Sequence, residues 1–268
     1  MVDEITHDFP PFFRVYRDGR VERFHNYVYV DPSDDPNTGV QSKDVNNNSA
    51  RIYLPKITTK NSKFPLLIYI HGGGFSMESA FSTGYDKYLH SLVAEANVVA
   101  ISVDYRLAPE HPLPACYEDS WSVVTWATDH LNISKEPWLK DHVNFSRVFL
   151  AGDSAGANIV HDMVVRASEK PLGDGCAGLD DPRINPAAHP RLLSNLVCLK
   201  ILVFTAEKDF LRERSLTYID ALKKSGWKGE VEIMETQGED HVFHLLEPTC
   251  DKAALLMKRL VDFFNDKI

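Results

Sequence analysis

Hydrophobic and polar positions divide this chain into short apolar runs that alternate with stretches of helical period. The apolar runs predict strands at ARIYLP (50–55), PLLIYIH (65–71), NVVAISVDY (97–105), RVFLAG (147–152), LKILVFTAE (199–207) and VEIMET (231–236). The helical period is found at 87–96, 115–131, 157–168, 213–224 and 251–265. Continuous apolar strands separated by helices indicate a mostly parallel sheet covered on both faces. One α/β domain over residues 1–268 is the simplest prediction.

The first fifty residues have a different pattern. FRVYRDGRVERF (13–24) predicts a hairpin, because two short alternating runs flank an Asp18-Gly19 turn. Residues 31–50 are polar and rich in turn formers, so we expect a surface loop there. Residues 1–48 are therefore predicted to form an N-terminal hairpin and cap segment of the domain.

Composition narrows the class of partner. The 268 residues are 44% hydrophobic and 25% charged, which is ordinary for a globular protein. A net charge of −9 argues against nucleic acid or an anionic membrane as the main partner. Four cysteines without paired spacing suggest no zinc site and no disulfide framework. The acidic start MVDEITHDFPPFF lacks the basic and apolar blocks of a signal peptide, so a cytoplasmic location is expected. The sequence implies no metal and no organic cofactor.

The most specific local pattern is RVFLAGDSAGANIV (147–160), a predicted strand, a tight turn and a helix. Its centre, GDSAG, has the G-x-S-x-G form of a nucleophile elbow, in which Gly152 and Gly156 allow the turn that exposes Ser154. Ser154 also lies at a helix N-terminus, where developing negative charge is favoured. The sequence therefore predicts Ser154 as a nucleophile.

A second glycine-rich element follows the strand 65–71. His71-Gly72-Gly73-Gly74 is an HGGG loop, the partner of the elbow in esterases and lipases. The N–H groups of Gly73 and Gly74, with that of Ala155, are expected to form an oxyanion hole. We expect Gly72 to support the loop and His71 to hold it through its ring nitrogens.

A serine nucleophile needs a base and an acid, and in this arrangement both follow the serine along the chain. The strand 199–207 ends close to Asp209, and His241 lies beyond the next strand. Asp209 and His241 are therefore predicted as acid and base. Glu207 and His244 stay open as alternatives.

These motifs carry a family resemblance. HGGGF, DYRLAPEHPLPA (104–115), GDSAGAN, AEKD and GEDHVFH together resemble the plant carboxylesterases of the hormone-sensitive-lipase type, and the match extends over nearly the whole chain. The resemblance implies an α/β-hydrolase fold, a Ser154–Asp209–His241 triad, an oxyanion hole at Gly73, Gly74 and Ala155, and hydrolysis of small esters.

The chain departs from that family in one segment. Members have a further strand and cap residues between the nucleophile helix and GLDDPRINP, whereas here residues 169–190 read EKPLGDGCAGLDDPRINPAAHP. We expect a deletion of roughly fifty residues, which removes a central strand and part of the cap. We further expect strand 200–206 to move by one strand spacing, about 5 Å, and pair with strand 147–152, with 169–199 as the linker.

The same fold serves other functions. The gibberellin receptors of this family are non-catalytic binders, and its isoflavanone dehydratases and alkaloid cyclases are lyases. The presence of His241 argues against a receptor, and Ser154 differs from the threonine expected of a dehydratase. A hydrolase is favoured, while a lyase, a binder and an inactive shortened variant stay open.

Overall fold

The computed structural model describes residues 4–45, 49–59, 61–168 and 180–266. The N-terminal segment forms an antiparallel sheet from β1 (Ile5–Phe9), β2 (Phe13–Tyr16) and β3 (Val21–Arg23). The predicted hairpin is confirmed: β2 and β3 pair across a turn in which Gly19 has a φ of +86°.

A five-stranded mixed sheet forms the centre of the molecule. Its strands are β4 (Gln41–Val45), β5 (Ala50–Leu54), β6 (Phe64–Ile70), β7 (Val99–Val103) and β8 (Val143–Gly152), in the order β4-β5-β7-β6-β8. The pairs β6–β7 and β6–β8 are parallel, and β4 and β5 join antiparallel. The prediction of a loop over 31–50 is wrong for β4, because the edge of β5 gives this polar segment a full set of pairing partners.

Helices cover the sheet. In chain order they are α1 (Thr83–Ala96), α2 (Ala115–Thr128), α3 (His130–Ile133), α4 (Pro137–His142), α5 (Ala155–Ser168), α6 (Pro190–Ser194), α7 (Arg212–Ser225), α8 (Phe243–Leu246) and α9 (Asp251–Asn265). The helix predicted over 115–131 ends earlier because Asp129 is extended. None of the described helices is both long and apolar enough to cross a bilayer.

The alternation of side chains along β6 separates two cores. Ile68 and Ile70 point to the face covered by α2 and α5, whereas Leu67 and Tyr69 pack against α1 and α9. Except for its first residue, β6 is buried throughout. Burial on both faces explains why this strand is continuously apolar.

β9 (Lys200–Ala206) and β10 (Glu230–Thr236) form a separate parallel ribbon. Among the described residues β8 pairs only with β6, and β9 pairs only with β10. The predicted pairing of 200–206 with 147–152 is therefore wrong. A cavity of about 1190 Å³ is lined by both strands instead. We call the part of this cavity between β8 and β9 the strand slot.

Helix packing explains why the ribbon keeps its distance. The ring of Phe264 in α9 lies 4.9 Å from that of Phe149 in β8, and the same apolar cluster includes Phe204 of β9. On the other side, Leu222 of α7 is buried in a cluster that includes Ile201. Moving β9 by one strand spacing would give up this burial, worth about 25 cal/mol per Å² of apolar surface.

Candidate active site

Ser154 occupies the turn between β8 and α5. Its φ of +51° is left-handed, a strained conformation for a serine that projects the side chain away from the strand. A Cβ atom at Gly156 would lie 2.0 Å from the carbonyl oxygen of Ile70, and one at Gly152 would lie 2.5 Å from the same atom. Glycine is therefore required at both positions, because the elbow presses against the end of β6.

Three side chains from separate loops meet at the elbow. His241 Nε2 lies 2.9 Å from Ser154 Oγ, and His241 Nδ1 lies 2.9 Å from Asp209 Oδ2. Asp209 Oδ1 accepts a hydrogen bond from the backbone N–H of Leu211 at 2.7 Å, which fixes the carboxylate. The ring of Phe210 lies 4.9 Å from the His241 ring, although Phe210 itself is 76% exposed. These contacts match the arrangement that a serine nucleophile requires of its base and of the acid that orients the base.

The two alternative residues lie elsewhere. Glu207 is exposed, and its Oε2 accepts a hydrogen bond from the Gly238 N–H at 2.7 Å. The His244 ring packs edge-on against Tyr88, and burial lowers the pKa of His244 to about 4. Among the described residues, neither side chain hydrogen-bonds to Ser154 or His241. Asp209 and His241 are therefore the pair that the structure brings to the serine.

The glycine loop lies across from the elbow. Gly73 and Gly74 have φ values of +96° and +59°, and a Cβ atom at Gly73 would lie 2.3 Å from the carbonyl oxygen of Met77. Within the described part of the chain, the N–H groups of Gly73, Gly74 and Ala155 have no hydrogen-bond partner. Unpaired N–H groups beside a nucleophile are what an oxyanion hole requires.

A tyrosine–aspartate cluster joins the glycine loop to the elbow. Asp153 accepts hydrogen bonds from the hydroxyls of Tyr69 (2.8 Å) and Tyr85 (2.9 Å), and the Tyr85 oxygen accepts one from the Gly72 N–H at 2.8 Å. Burial raises the pKa of Asp153, while the two tyrosine hydrogen bonds oppose this shift. None of these three residues was predicted from the sequence. Only Asp153 carried a signal, as the variable position of the elbow motif.

His71 packs beneath the glycine loop and bonds to its backbone. It is buried, its Nδ1 lies 2.8 Å from the Gly72 carbonyl oxygen, and its ring stacks on Tyr105 at 4.1 Å. The Tyr105 hydroxyl donates to the carbonyl oxygens of His71 and Gly72. Burial lowers the pKa of His71 to about 4, so the ring is neutral near pH 7 and its Nδ1–H can donate to Gly72.

Comparison with known proteins identifies the family. A family model described as the alpha/beta hydrolase fold matches residues 67–177 and 172–245. The chain is 41% identical over 311 residues to "Probable carboxylesterase 7" of Arabidopsis thaliana, covering 97% of this chain and 98% of the relative. The chain belongs to the plant carboxylesterase family of alpha/beta hydrolases.

The chain is also similar to a relative with a different named activity and to a solved esterase structure. This plant carboxylesterase family member is also 40% identical over 316 residues to a 2-hydroxyisoflavanone dehydratase of Glycyrrhiza echinata, with 97% of this chain and 96% of the relative covered. A fungal esterase structure from Rhizomucor miehei matches with a TM-score of 0.70 at 21% identity, over 90% of this chain and 85% of that one. The structural match shows the fold alone.

The alignment also bears on the predicted deletion. The 316 aligned positions exceed the 268 residues of this chain, so at least 48 of them (316 − 268) have no counterpart here. The two matched parts of the family model overlap at 172–177, inside the segment 169–190 where the deletion is predicted. This family member is therefore shorter than its relatives, and the strand slot is where the structure shows the consequence.

Proposed function

We propose that this chain is a serine carboxylesterase in which Ser154 is the nucleophile, His241 the general base and Asp209 the orienting acid. The observation that carries the proposal is the pair of 2.9 Å contacts that join His241 to Ser154 and to Asp209. The family membership supports the same reaction class.

Acylation begins when Ser154 Oγ attacks the ester carbonyl carbon and its proton passes to His241 Nε2. The Asp209 carboxylate accepts the His241 Nδ1–H bond and stabilises the imidazolium. The oxyanion forms beside the N–H groups of Gly73, Gly74 and Ala155, each worth roughly 3–4 kcal/mol of barrier. The carbon–oxygen bond to the alcohol breaks as His241 protonates the leaving oxygen, and the acyl group remains on Ser154.

Deacylation reverses the proton path. Water attacks the acyl carbon while His241 Nε2 takes its proton, and the second oxyanion uses the same N–H groups. Collapse of this intermediate breaks the bond to Ser154 Oγ, which regains the proton from His241. The products are a carboxylic acid and free enzyme.

The surroundings of the triad favour small esters. Ser154, Asp209 and His241 line the large cavity that includes the strand slot, and Phe210 on its rim is mostly exposed. A large, solvent-accessible site excludes water poorly and binds a substrate weakly. We therefore expect turnover of small activated esters with little selectivity, and a cytoplasmic location stays a prediction.

A lyase is the second candidate, because one relative is named a 2-hydroxyisoflavanone dehydratase. Dehydration would use His241 for proton transfer without an acyl-enzyme. Labelling by a fluorophosphonate, read by intact mass, tests whether Ser154 is activated. Ester turnover in ¹⁸O-labelled water tests hydrolysis, because one labelled oxygen then enters the acid product.

We expect stoichiometric labelling that disappears in Ser154→Ala, together with ¹⁸O in the acid. Ser146→Ala, an exposed serine at the far end of β8, is the matched control and should be labelled like the parent. A folded protein that is not labelled and releases no acid would contradict the esterase proposal. Loss of water from a 2-hydroxyisoflavanone without ester hydrolysis would favour the lyase.

A further inference from the structure

The strand slot lies between two strands that run in the same direction. Ser154 follows β8, Asp209 follows β9, and both contact His241, so the carboxyl ends of the two strands meet at one edge. The slot is lined by 148–152 of β8 and 200–206 of β9. A strand placed in this slot would therefore be an interior strand of a parallel sheet, with β8 on one side and β9 on the other.

The backbone groups that face the slot can be assigned on β9. Glu230 N–H donates to the Leu199 carbonyl, and Glu207 N–H donates to the Thr236 carbonyl. In a parallel ladder alternate residues face the same neighbour, so the odd-numbered residues of β9 bond to β10. Leu202 and Phe204 then direct their N–H and C=O groups into the slot, where the described residues offer them no partner.

Both faces of the slot are mostly apolar, although His161 and Tyr218 also line the cavity. Val160 and Val164 of α5 line one side, and Leu260 and Phe263 of α9 line the other. A strand with apolar side chains on both faces suits this space.

We propose that the strand slot binds an extended apolar peptide segment of a partner protein, which pairs with β8 and β9 as an inserted strand. Main-chain hydrogen bonds to both free edges supply the affinity, and the apolar walls select valine, isoleucine and leucine side chains. An alkyl chain fills the same space but leaves the facing N–H and C=O groups unpaired and desolvated. The peptide is therefore favoured over a lipid.

Amide hydrogen exchange, resolved by residue with NMR on the full chain, tests the proposal. The probe is a synthetic peptide of valine and isoleucine residues, as long as β9 and flanked by lysines for solubility. Exchange at Leu202 and Phe204 should slow by about tenfold or more, the equivalent of one net hydrogen bond. Ile201 and Val203 are matched internal controls, because they already bond to β10, and their exchange should not change.

A second peptide of the same sequence, N-methylated at every residue, carries methyl groups on both hydrogen-bonding edges, which keep it from pairing with β8 or β9, so it should give no protection. The proposal is overturned if the first peptide leaves Leu202 and Phe204 unchanged at saturation. It is equally overturned if the N-methylated peptide or decanoate protects them to the same extent, because the slot then only accepts apolar bulk.

Proline variants give an independent check. Leu202→Pro removes a donor that faces the slot, a position where proline is tolerated, and should keep the fold while abolishing protection at Phe204. Val203→Pro is the matched control: it breaks a bond to β10 and should lower the melting temperature. Retained protection at Phe204 in a folded Leu202→Pro protein would contradict the inference. If that variant does not fold, the N-methylated peptide still decides.

Discussion

Tyr85 connects the glycine loop to the elbow through a single hydroxyl group. This group donates to Asp153 Oδ2 at 2.9 Å and accepts from the Gly72 N–H at 2.8 Å. Tyr85→Phe keeps the ring but removes both hydrogen bonds, and an unpaired buried N–H costs about 1–3 kcal/mol. Gly72 directly precedes the proposed oxyanion donors, so the loop relaxes where charge develops. We expect kcat to fall about 10- to 100-fold, a loss of about 1.4–2.7 kcal/mol of transition-state stabilisation.

Steady-state hydrolysis of p-nitrophenyl acetate measures this effect, with KM expected to change little because the oxyanion forms only in the transition state. Tyr69→Phe is the matched control, since Tyr69 donates to the other oxygen of Asp153 but does not contact the Gly72 N–H. Its loss in kcat should be smaller. An equal or greater loss in Tyr69→Phe, or a rise in KM at constant kcat in Tyr85→Phe, would refute the proposed support of the loop.

Three further changes probe stability. Gly156→Ala should lower the free energy of unfolding in urea by about 1–3 kcal/mol or more, because its Cβ atom would lie 2.0 Å from a carbonyl oxygen. The Cβ atom of the control Gly84→Ala in α1 meets no other atom, so this variant should not be destabilised, and equal effects of the two changes would contradict the prediction. Burial lowers the pKa of His161 from 6.5 to about 4, so its contribution to stability is complete above pH 6.5 and falls by about 2 kcal/mol between pH 7.5 and 5. His71 and His244 contribute in the same direction, so His161→Asn should remove about 2 kcal/mol of the total loss, and an unchanged pH dependence would contradict this. Arg23 of the N-terminal hairpin binds both carboxylate oxygens of Glu110 and two backbone carbonyls. Because Arg23→Ala removes these contacts, thermolysin should cleave the hairpin faster, and an unchanged cleavage rate would show that other contacts hold the hairpin in place.

The sequence predicted best what is determined locally. β6 is recognisable because burial on both faces demands a continuous apolar run. Ser154, Asp209 and His241 could be proposed because elbow, acid and base follow successive strands in a fixed chain order. β4 was missed because QSKDV has no strand signal without the edge of β5.

Long-range packing accounts for the remaining differences. The position of β9 was predicted wrongly because unpaired strand edges were expected to close, whereas α9 and α7 bury apolar side chains only at the observed spacing. The Tyr85–Asp153 contact was missed because it joins residues 68 positions apart that share no sequence motif. Neither the position of β9 nor the Tyr85–Asp153 contact can be predicted from a local sequence pattern.

The strand slot also has a mechanical consequence. Among the described residues no backbone ladder crosses from β8 to β9, so the seam between the two sheets passes through the proposed reactive centre. Ser154 stands on one side of this seam and Asp209 on the other, with the His241 hydrogen bonds between them. Because a seam held by side-chain packing separates before hydrogen-bonded strands do, warming should separate the proposed triad first. Esterase activity is then expected to fail at a lower temperature than the circular dichroism of the fold, and coincident losses would show that the two sheets move as one body.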